Sequence, residues 1–410
     1  MNGTSSTPEF LRREHWHAIA ASFMGWTLDA FDYCTVIFLV GRLATQFGVS
    51  KTDIIWSLTA TLAMRPVGAL VFGLFADRYG RRIALMSNIL CYSVVELLCG
   101  FSQSYVMFLA LRAVYGIGMG GEWGVGASLA METVPKRWRG LFSGVLQSGW
   151  SVGYLLAAVS ARFILPAFGW RAMFWAGGVP ALLVLYVRAR VPESEAWKAT
   201  RVQSTGAILK TITRDVKSFL YLICLMTLLM FLSHGTQDLY PDFLETAHHL
   251  SANAVASIAI LYNLGAIVGS VLFGQFSERY GRRRGITIAL ALSLVVIPLW
   301  VSAGSAGYLA LGAVLMQMGV QGAWGIIPAH LTELAPASSR SLLPGLTYQL
   351  GILFAAPTDT FEYALRRRLG YGWALGAFEL AVIVLGMIVI NLGKERRGVD
   401  FAGPAADGKT

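Results

Sequence analysis

Apolar segments long enough to cross a bilayer follow one another along almost the whole chain. A helix needs about 20 predominantly apolar residues to span the hydrocarbon core. Between these segments lie short polar stretches that carry most of the charges. The pattern predicts twelve membrane-spanning helices, at 17–41, 54–75, 83–101, 105–131, 140–165, 170–188, 217–243, 252–275, 286–304, 307–331, 342–364 and 371–392.

Composition and charge support this pattern. The 410 residues are 55% hydrophobic and 14% charged, whereas soluble domains carry about 25% charged residues. The net charge of +10 follows from topology rather than from nucleic-acid binding. If both termini are cytoplasmic, most lysines and arginines fall on the cytoplasmic side, as the positive-inside rule requires. The exception is Arg366–Arg368, which falls on a predicted external loop.

The chain contains an internal repeat. Residues 73–82 are Gly-Leu-Phe-Ala-Asp-Arg-Tyr-Gly-Arg-Arg, and residues 274–283, shifted by 201 positions, are Gly-Gln-Phe-Ser-Glu-Arg-Tyr-Gly-Arg-Arg. The repeat predicts two similar six-helix halves, 1–188 and 217–410, joined by a cytoplasmic linker at 189–216. Transporters built from parallel repeats place the substrate between the halves, near the bilayer midplane.

Charged side chains in and near the repeated loops form two matching sets. They lie at the predicted cytoplasmic ends of helices that must separate when such a molecule opens inward. Ion pairs there would stabilise a closed gate, and because both halves share them they carry no information on the substrate. The expected gate residues are Asp77, Arg78, Arg82, Glu132 and Arg139 in the first half and Glu278, Arg279, Arg283, Glu333 and Arg340 in the second.

Ionisable side chains also occur inside the predicted spans, where each costs about 2.5–3.5 kcal/mol on insertion scales. His234 and Asp238 are four residues apart in the seventh span, so they lie on one helical face. A carboxylate beside a histidine can tune a proton site near neutral pH. Arg65 suits a carboxylate ligand because its guanidinium binds one bidentately. The alternative for Arg65 is a pair with Asp29 or Asp32 that only neutralises the first helix.

Other polar groups of the spans complete the predicted site. Asp29 and Asp32 share one face of the first span and would assist the proton pair, and Arg112 with Glu122 is either structural or part of the proton route. Gln349 would hydrogen-bond the substrate from the second half. The expected proton-coupling residues are His234, Asp238, Asp29, Asp32, Arg112 and Glu122, and the expected substrate-binding residues are Arg65, Gln237 and Gln349.

Two motifs resemble those of a known family. The repeated loop resembles the loop between spans two and three of the major facilitator superfamily. Ser233-His234-Gly235-Thr236-Gln237-Asp238 resembles the seventh-span motif of its sialate:proton symporter branch, which includes the Jen-type monocarboxylate permeases. Met230 and Asp242 depart from that motif, where the branch has asparagine and threonine. The resemblance implies an all-α membrane protein with the major facilitator fold, alternating access, and a proton-coupled or facilitative carrier.

These observations predict a proton symporter for a small organic anion, a monocarboxylate such as lactate or pyruvate. A sialic acid or aromatic acid symporter is the alternative. A drug:proton exporter is less favoured, because the glycine-rich fifth span contains no proline at 144–153. An enzyme is disfavoured, since no loop is long enough for a catalytic domain. We expect a monomer in the plasma (inner) membrane, with both termini cytoplasmic and without cofactor, metal or nucleic-acid partner.

Overall fold

The computed structural model describes residues 10–200 and 204–401, and the regular elements in these ranges are all helical. Residues 201–203 of the predicted linker lie outside the described residues. The α-helices of the described ranges are α1 (Arg13–Phe47), α2 (Lys51–Tyr79), α3 (Arg81–Cys99), α4 (Tyr105–Thr133), α5 (Arg139–Ala176), α6 (Ala181–Arg190), α7 (Glu195–Thr200), α8 (Thr205–Arg214), α9 (Val216–Gly235), α10 (Tyr240–Thr246), α11 (Ala252–Tyr280), α12 (Arg282–Ser302), α13 (Ala306–Leu334), α14 (Leu342–Ala355), α15 (Thr358–Leu369) and α16 (Tyr371–Leu392).

Each predicted span coincides with helical structure, but three spans are interrupted. The sixth combines the end of α5, after a kink at Gly169 with a φ of 77°, with α6. The seventh combines α9 and α10, and the eleventh combines α14 and α15. Prolines lie at all three breaks, Pro180, Pro241 and Pro357, where a missing N–H cannot continue the helical hydrogen bonding. The twelve-span prediction is confirmed, and the expectation of one unbroken helix per span is wrong at these places.

The repeat extends to the local structure of the chain. Short 3-10 helices at Lys136–Trp138 and Ala337–Ser339 precede the fifth and eleventh spans. Helices α4 and α13 both begin at a serine N-cap, Ser104 and Ser305, whose hydroxyl accepts a backbone N–H. Such caps satisfy a donor that has no partner within the helix.

Glycines allow helices within each half to pack closely. A Cβ added at Gly116 of α4 would collide with the carbonyl oxygen of Thr61 on α2, and one at Gly120 with the carbonyl oxygen of Arg65. Gly269 of α11 meets the backbone of Met318 on α13 in the same way. The glycine run of the fourth span therefore serves helix packing, as is common in membranes.

The two halves contact each other over only part of their length. In the described residues, every hydrogen bond and ion pair between helices of different halves lies between the middle of the bundle and the end that holds residues 10 and 401. We call this the gate end, and the opposite one the open end. Contact is close: an added Cβ at Gly144 would meet the carbonyl oxygen of Ser270. The polar contacts between the halves are therefore concentrated at the gate end.

Candidate functional site

The predicted histidine–aspartate pair lies where the seventh span is broken. Helix α9 ends at Gly235 and α10 begins at Tyr240. Nδ1 of His234 lies 2.9 Å from Oδ2 of Asp238, and the two side chains are 38% and 42% exposed. Arg65 lies within electrostatic reach of His234. The pair therefore faces the other half and remains accessible. Broken helices at the midplane commonly form substrate and ion sites in transporters.

A glutamine pair holds the broken segment in place. Nε2 of Gln237 donates to Oε1 of Gln317 on α13 at 2.9 Å, and Nε2 of Gln317 donates to Oγ1 of Thr236 at 3.0 Å. Gln237, expected to bind substrate, is thus engaged within its own half. Gln317 was not among the predicted residues, although an amide in an apolar span is itself a signal, because it needs a partner there.

Arg65 lies deeper, behind an aromatic cluster. Its side chain is 2% exposed, and its Cζ lies 6.0 Å from the centre of the Tyr348 ring. Tyr348 stacks on Trp123 with ring centres 4.3 Å apart, and Trp26 and Trp324 pack edge-on against Tyr348. Nε and Nη2 of Arg65 have no hydrogen-bond partner among the described residues. The Arg65 guanidinium is thus a buried cation beside an aromatic cluster, with unused hydrogen-bond donors.

Arg112 is paired with an acid that sequence reasoning did not select. Its Nη1 lies 3.0 Å from Oε2 of Glu96 on α3, and both side chains are at most 1% exposed. The sequence expectation joined Arg112 to Glu122. The structure instead places Glu122 against the first span, where a Cβ added at Gly25 would collide with its Oε1. Which acid lies opposite Arg112 depends on the packing of α3 on α4, which no sequence spacing shows.

The two aspartates of the first span lie on one buried face. Oδ1 of Asp29 accepts a hydrogen bond from the Tyr115 hydroxyl at 3.2 Å. Asp32 lies beside Glu96, because both side chains approach Gly177. Both aspartates are fully buried, so the structure brings Asp29, Asp32 and Arg112 into one cluster of the first half.

Gln349 contacts the opposite half, but through backbone. Its Nε2 donates to the carbonyl oxygen of Gly120 on α4 at 3.1 Å. The side chain is 1% exposed. Gln349 therefore links the halves at mid-depth, immediately beside Tyr348.

At the gate end each half has a buried arginine that joins two acids. Arg81 lies 2.6 Å from Asp77 and 2.9 Å from Glu132. In the second half Arg282 lies 2.7 Å from Glu278 and 2.9 Å from Glu333. The two sites keep the shift of 201 positions.

The sequence expectation selected the neighbouring arginines, and the structure corrects it. Arg82 donates to the backbone carbonyl oxygen of Arg188 and Arg283 to that of Asn391. Arg78 donates to Oγ1 of Thr205, and Arg279 lies over the ring of Tyr280. None of these four forms an ion pair with the expected acids in the described residues. Two adjacent arginines face different directions at a helix start, and only the helix phase determines which one faces the acids.

At the gate end, an arginine of each half lies near a glutamate of the other half. Arg139 of the first half lies 3.8 Å from Glu333 of the second, and Arg340 of the second lies 3.9 Å from Glu132 of the first. Asp77 accepts backbone N–H groups from residues 341 and 342 of the second half, at 3.0 and 2.9 Å. Glu278 likewise accepts the N–H of residue 140 of the first half.

Residues that follow the sixth and twelfth spans wrap around these acids. Glu193 accepts the backbone N–H groups of Arg81 and Arg82 and caps α3, and Glu395 does the same for α12. Burial raises the pKa of the Glu193 carboxyl, and its backbone hydrogen bonds oppose that rise. Both halves thus use a glutamate to hold a helix N-terminus beside the gate.

The C-terminal segment fills the space between the two cross-linking arginines. The Phe401 ring lies 3.7 Å from the Arg139 guanidinium and 4.3 Å from that of Arg340. The Phe401 residue is 2% exposed. Arg139 also donates to the carbonyl oxygen of Val399 at 2.6 Å. One aromatic ring therefore contacts a cation from each half.

At the open end a separate cluster occupies the predicted external loop. Nη1 of Arg366 lies 3.3 Å from Oδ2 of Asp242, and the Tyr371 hydroxyl donates to the same oxygen at 2.6 Å. The Arg366 guanidinium lies 3.8 Å from the centre of the Tyr371 ring. Asp242, which departs from the family motif, is thus neutralised by Arg366 and ties α10 to the last two helices.

Comparison with known proteins agrees with this architecture. The family model described as Major Facilitator Superfamily matches residues 18–241, and the model described as Sugar (and other) transporter matches residues 223–391. The proton:xylose symporter XylE has a similar structure, with a TM-score of 0.77 and 16% identity over 94% of this chain and 97% of that one. The human organic anion transporter MFSD10 gives a TM-score of 0.75 at 16% identity, over 92% of this chain and 100% of that one.

Similar sequences include several named transporters. The "Carboxylic acid transporter protein homolog" of Saccharomyces cerevisiae is 31% identical over 87% of this chain, which spans 62% of that relative. The "Probable 4-methylmuconolactone transporter" of Cupriavidus pinatubonensis is 28% identical over 92% of this chain and 90% of the relative. The "Sialic acid transporter NanX" of Escherichia coli is 27% identical over 92% and 93%. The chain therefore belongs to the major facilitator superfamily, and it is a multi-pass membrane transporter rather than an enzyme.

Proposed function

We propose that this transporter carries a small organic acid together with protons. The observation that carries the proposal is the His234–Asp238 pair, 2.9 Å apart and half exposed at the break of the seventh span. An imidazole held by a carboxylate is suited to binding and releasing a proton near neutral pH. The names of three relatives, which refer to carboxylic acid, 4-methylmuconolactone and sialic acid, support an organic acid as the substrate.

In the proposed mechanism Arg65 binds the substrate carboxylate. Its buried guanidinium acts electrostatically on His234 across the interface, and the Tyr348 ring lies 6.0 Å from it. Substrate arrival would displace Tyr348, so that the anion pairs with Arg65 and the proton rests on the His234 site. Asp29, Asp32, Arg112 and Glu122 would relay or balance charge within the first half. A small monocarboxylate such as lactate or pyruvate satisfies these contacts.

We also propose the orientation of the molecule. The gate end would face the cytoplasm of a plasma (inner) membrane, because most lysines and arginines of the loops lie on that side. The ion pairs of Arg139 and Arg340 would form the cytoplasmic gate, and residues 189–216 would join the two halves on the cytoplasmic side. Loading would then occur from outside, where the route is open.

An aromatic acid is the second candidate, and the aromatic cluster favours it. Trp123 and Tyr348 stack in front of Arg65, and Trp26 and Trp324 complete the cluster. A planar ring could insert between such side chains, with its carboxylate on Arg65. Two further relatives are named as niacin and gentisate transporters.

Substrate-dependent proton uptake tests both candidates. The full chain is reconstituted into vesicles loaded with a pH-sensitive dye, and lactate, pyruvate, nicotinate, benzoate or sialic acid is added outside. We expect at least one acid to acidify the lumen faster than it does in protein-free vesicles, and Arg65→Gln to remove this excess rate. Conservative replacement of Arg171, an arginine outside this site, by Gln is the control. Acid entry without proton movement would contradict coupling, and equal rates with Arg65→Gln would contradict the role of Arg65.

A further inference from the structure

Two buried glutamates of the second half lie outside the site described so far. Glu362 on α15 is 1% exposed and Glu379 on α16 is 0% exposed. None of their carboxyl oxygens has a hydrogen-bond partner among the described residues. Both approach Gly235, the last residue of α9: an added Cβ there would collide with Oε1 of Glu379 and lie 3.0 Å from Oε1 of Glu362. The two acids thus share one small space next to the broken span.

The titratable groups around this space are mainly acidic. Asp359 lies three residues before Glu362 on α15 and is exposed, so it is next to Glu362 on the same helical face. From the broken span, Asp238 acts electrostatically on Glu362, and His234 is held by Asp238. Within the described chain no lysine or arginine forms an ion pair with either glutamate.

Arg366 follows Glu362 by one turn on α15, but its guanidinium is paired with Asp242. Helix α12 packs on α16 with the apolar side chains of Ile297 and Val301 next to Gly376. The Tyr371 hydroxyl, at the start of α16, is already bonded to Asp242. An ionised carboxylate without a partner is strongly disfavoured in such a place, and two close carboxylates repel each other as well. At least one of the pair must therefore be neutral.

We propose that Glu362 and Glu379 form a second proton-binding site of this transporter, supplied from the open end through exposed Asp359. This site adjoins Gly235, the residue next to His234, so the two proposed proton sites are neighbours at the broken span. The proposal deepens the proton coupling proposed above and rests on it. In the described state the pair is buried and holds its proton. Release requires water, so it accompanies the movement that opens the gate end.

Linkage gives this site a measurable effect on conformation. A ligand favours the state that binds it more tightly, so protonation of the pair favours the state closed at the gate end. Replacement of both residues by glutamine keeps the shape of the neutral form. The double variant Glu362→Gln/Glu379→Gln should therefore remain closed at the gate end at alkaline pH, where the parent chain opens.

Infrared spectroscopy tests whether the pair holds a proton. The full chain in lipid nanodiscs is compared at neutral pH with the double variant, and the measured quantity is the C=O band of protonated carboxylic acids. We expect the band to lose the intensity of one or two carboxyls in the double variant. Glu245→Gln, which removes an exposed carboxylate of α10, should leave it unchanged. An unchanged band in the double variant would overturn the proposal, and Glu379→Gln alone replaces the double variant if the latter does not fold.

Hydrogen exchange tests whether that proton is linked to the gate. The N–H groups of Ser341 and Leu342 donate to Asp77 in the closed gate, so they exchange when it opens. At each pH the exchange rate of the parent chain is divided by that of the double variant. We expect this ratio to rise by up to about tenfold per pH unit on the alkaline side. A ratio that stays flat with pH would overturn the linkage. Neither measurement uses a transported acid, so both decide the role of this pair even if the proposed substrate fails.

Discussion

Replacement of Phe401 by alanine should weaken the closed gate strongly. In the closed state the ring lies between Arg139 of one half and Arg340 of the other, 3.7 and 4.3 Å from their guanidinium carbons. The two arginine side chains are 4% and 6% exposed, so the cations are largely removed from water. When the halves separate, the ring can stay with at most one of them.

The magnitude follows from what opening removes. One partly desolvated cation–π contact is worth about 1–2 kcal/mol. Exposure of roughly half of a buried phenylalanine ring costs about 1 kcal/mol. Phe401 therefore favours the closed gate by about 2–3 kcal/mol. Phe401→Ala should raise the open population about 30- to 140-fold, since about 1.4 kcal/mol is a factor of ten.

Hydrogen exchange of Ser341 and Leu342 measures this change directly. In Phe401→Ala their exchange should accelerate by the same factor, because opening exposes their N–H groups. Phe401→Leu keeps an apolar side chain without a ring and should give an intermediate rate. Lys198→Ala is the control, because its pair with Glu195 lies within α7, is 51% and 79% exposed, and such pairs contribute about 0–1 kcal/mol. Exchange in Phe401→Ala equal to that of the parent chain would refute this reasoning.

Three further predictions concern the stability of the halves, and each is checked by thermal unfolding of the purified protein. Arg81→Gln should destabilise the fold by about 3–5 kcal/mol because it leaves Asp77 and Glu132 buried without their cation, whereas Arg82→Gln should cost far less; equal losses would contradict the assignment of Arg81. Gly116→Ala should be destabilising by more than about 1 kcal/mol, because its methyl group meets the backbone of Thr61. Gly307→Ala, with nothing within 4 Å of the added methyl group, should be neutral. The reverse order would show that α2 and α4 are not in close contact. Arg366→Gln should lower stability by at most about 1 kcal/mol, because the side chains of the Arg366–Asp242 pair are 35% and 49% exposed. A larger loss would show that this cluster stabilises the open end.

The sequence was sufficient for the architecture because its signals are local or repeated. Apolar length predicts each span, and the constant shift between 73–82 and 274–283 predicts two halves. The same shift is kept by features as small as the Ser104 and Ser305 caps. The His234–Asp238 contact was also predictable, since a spacing of four places two side chains on one face even at the end of a helix.

The remaining features depend on the rotational phase of individual helices and on the packing between helices. Arg81 and Arg82 are adjacent and identical in type, and only the start of α3 after Gly80 determines that Arg81 faces the acids. The partner of Arg112 is Glu96, which is far from it along the chain. The break after Gly235 falls in the polar segment 233–238 and is followed by Pro241, local signals that the average hydropathy of a whole span does not show. The pairing of Glu362 with Glu379 requires α15 and α16 to fold against α9.

Uphill accumulation of an organic acid is the most direct test of the proposed proton symport. Labelled lactate, pyruvate, nicotinate and benzoate are offered to proteoliposomes at an acid-outside gradient, with the parent chain and with His234→Ala. The proposal predicts that at least one acid accumulates above its external concentration, that a protonophore abolishes the accumulation, and that His234→Ala transports only downhill. Accumulation that survives unchanged in His234→Ala, or that does not depend on the proton gradient, would contradict it.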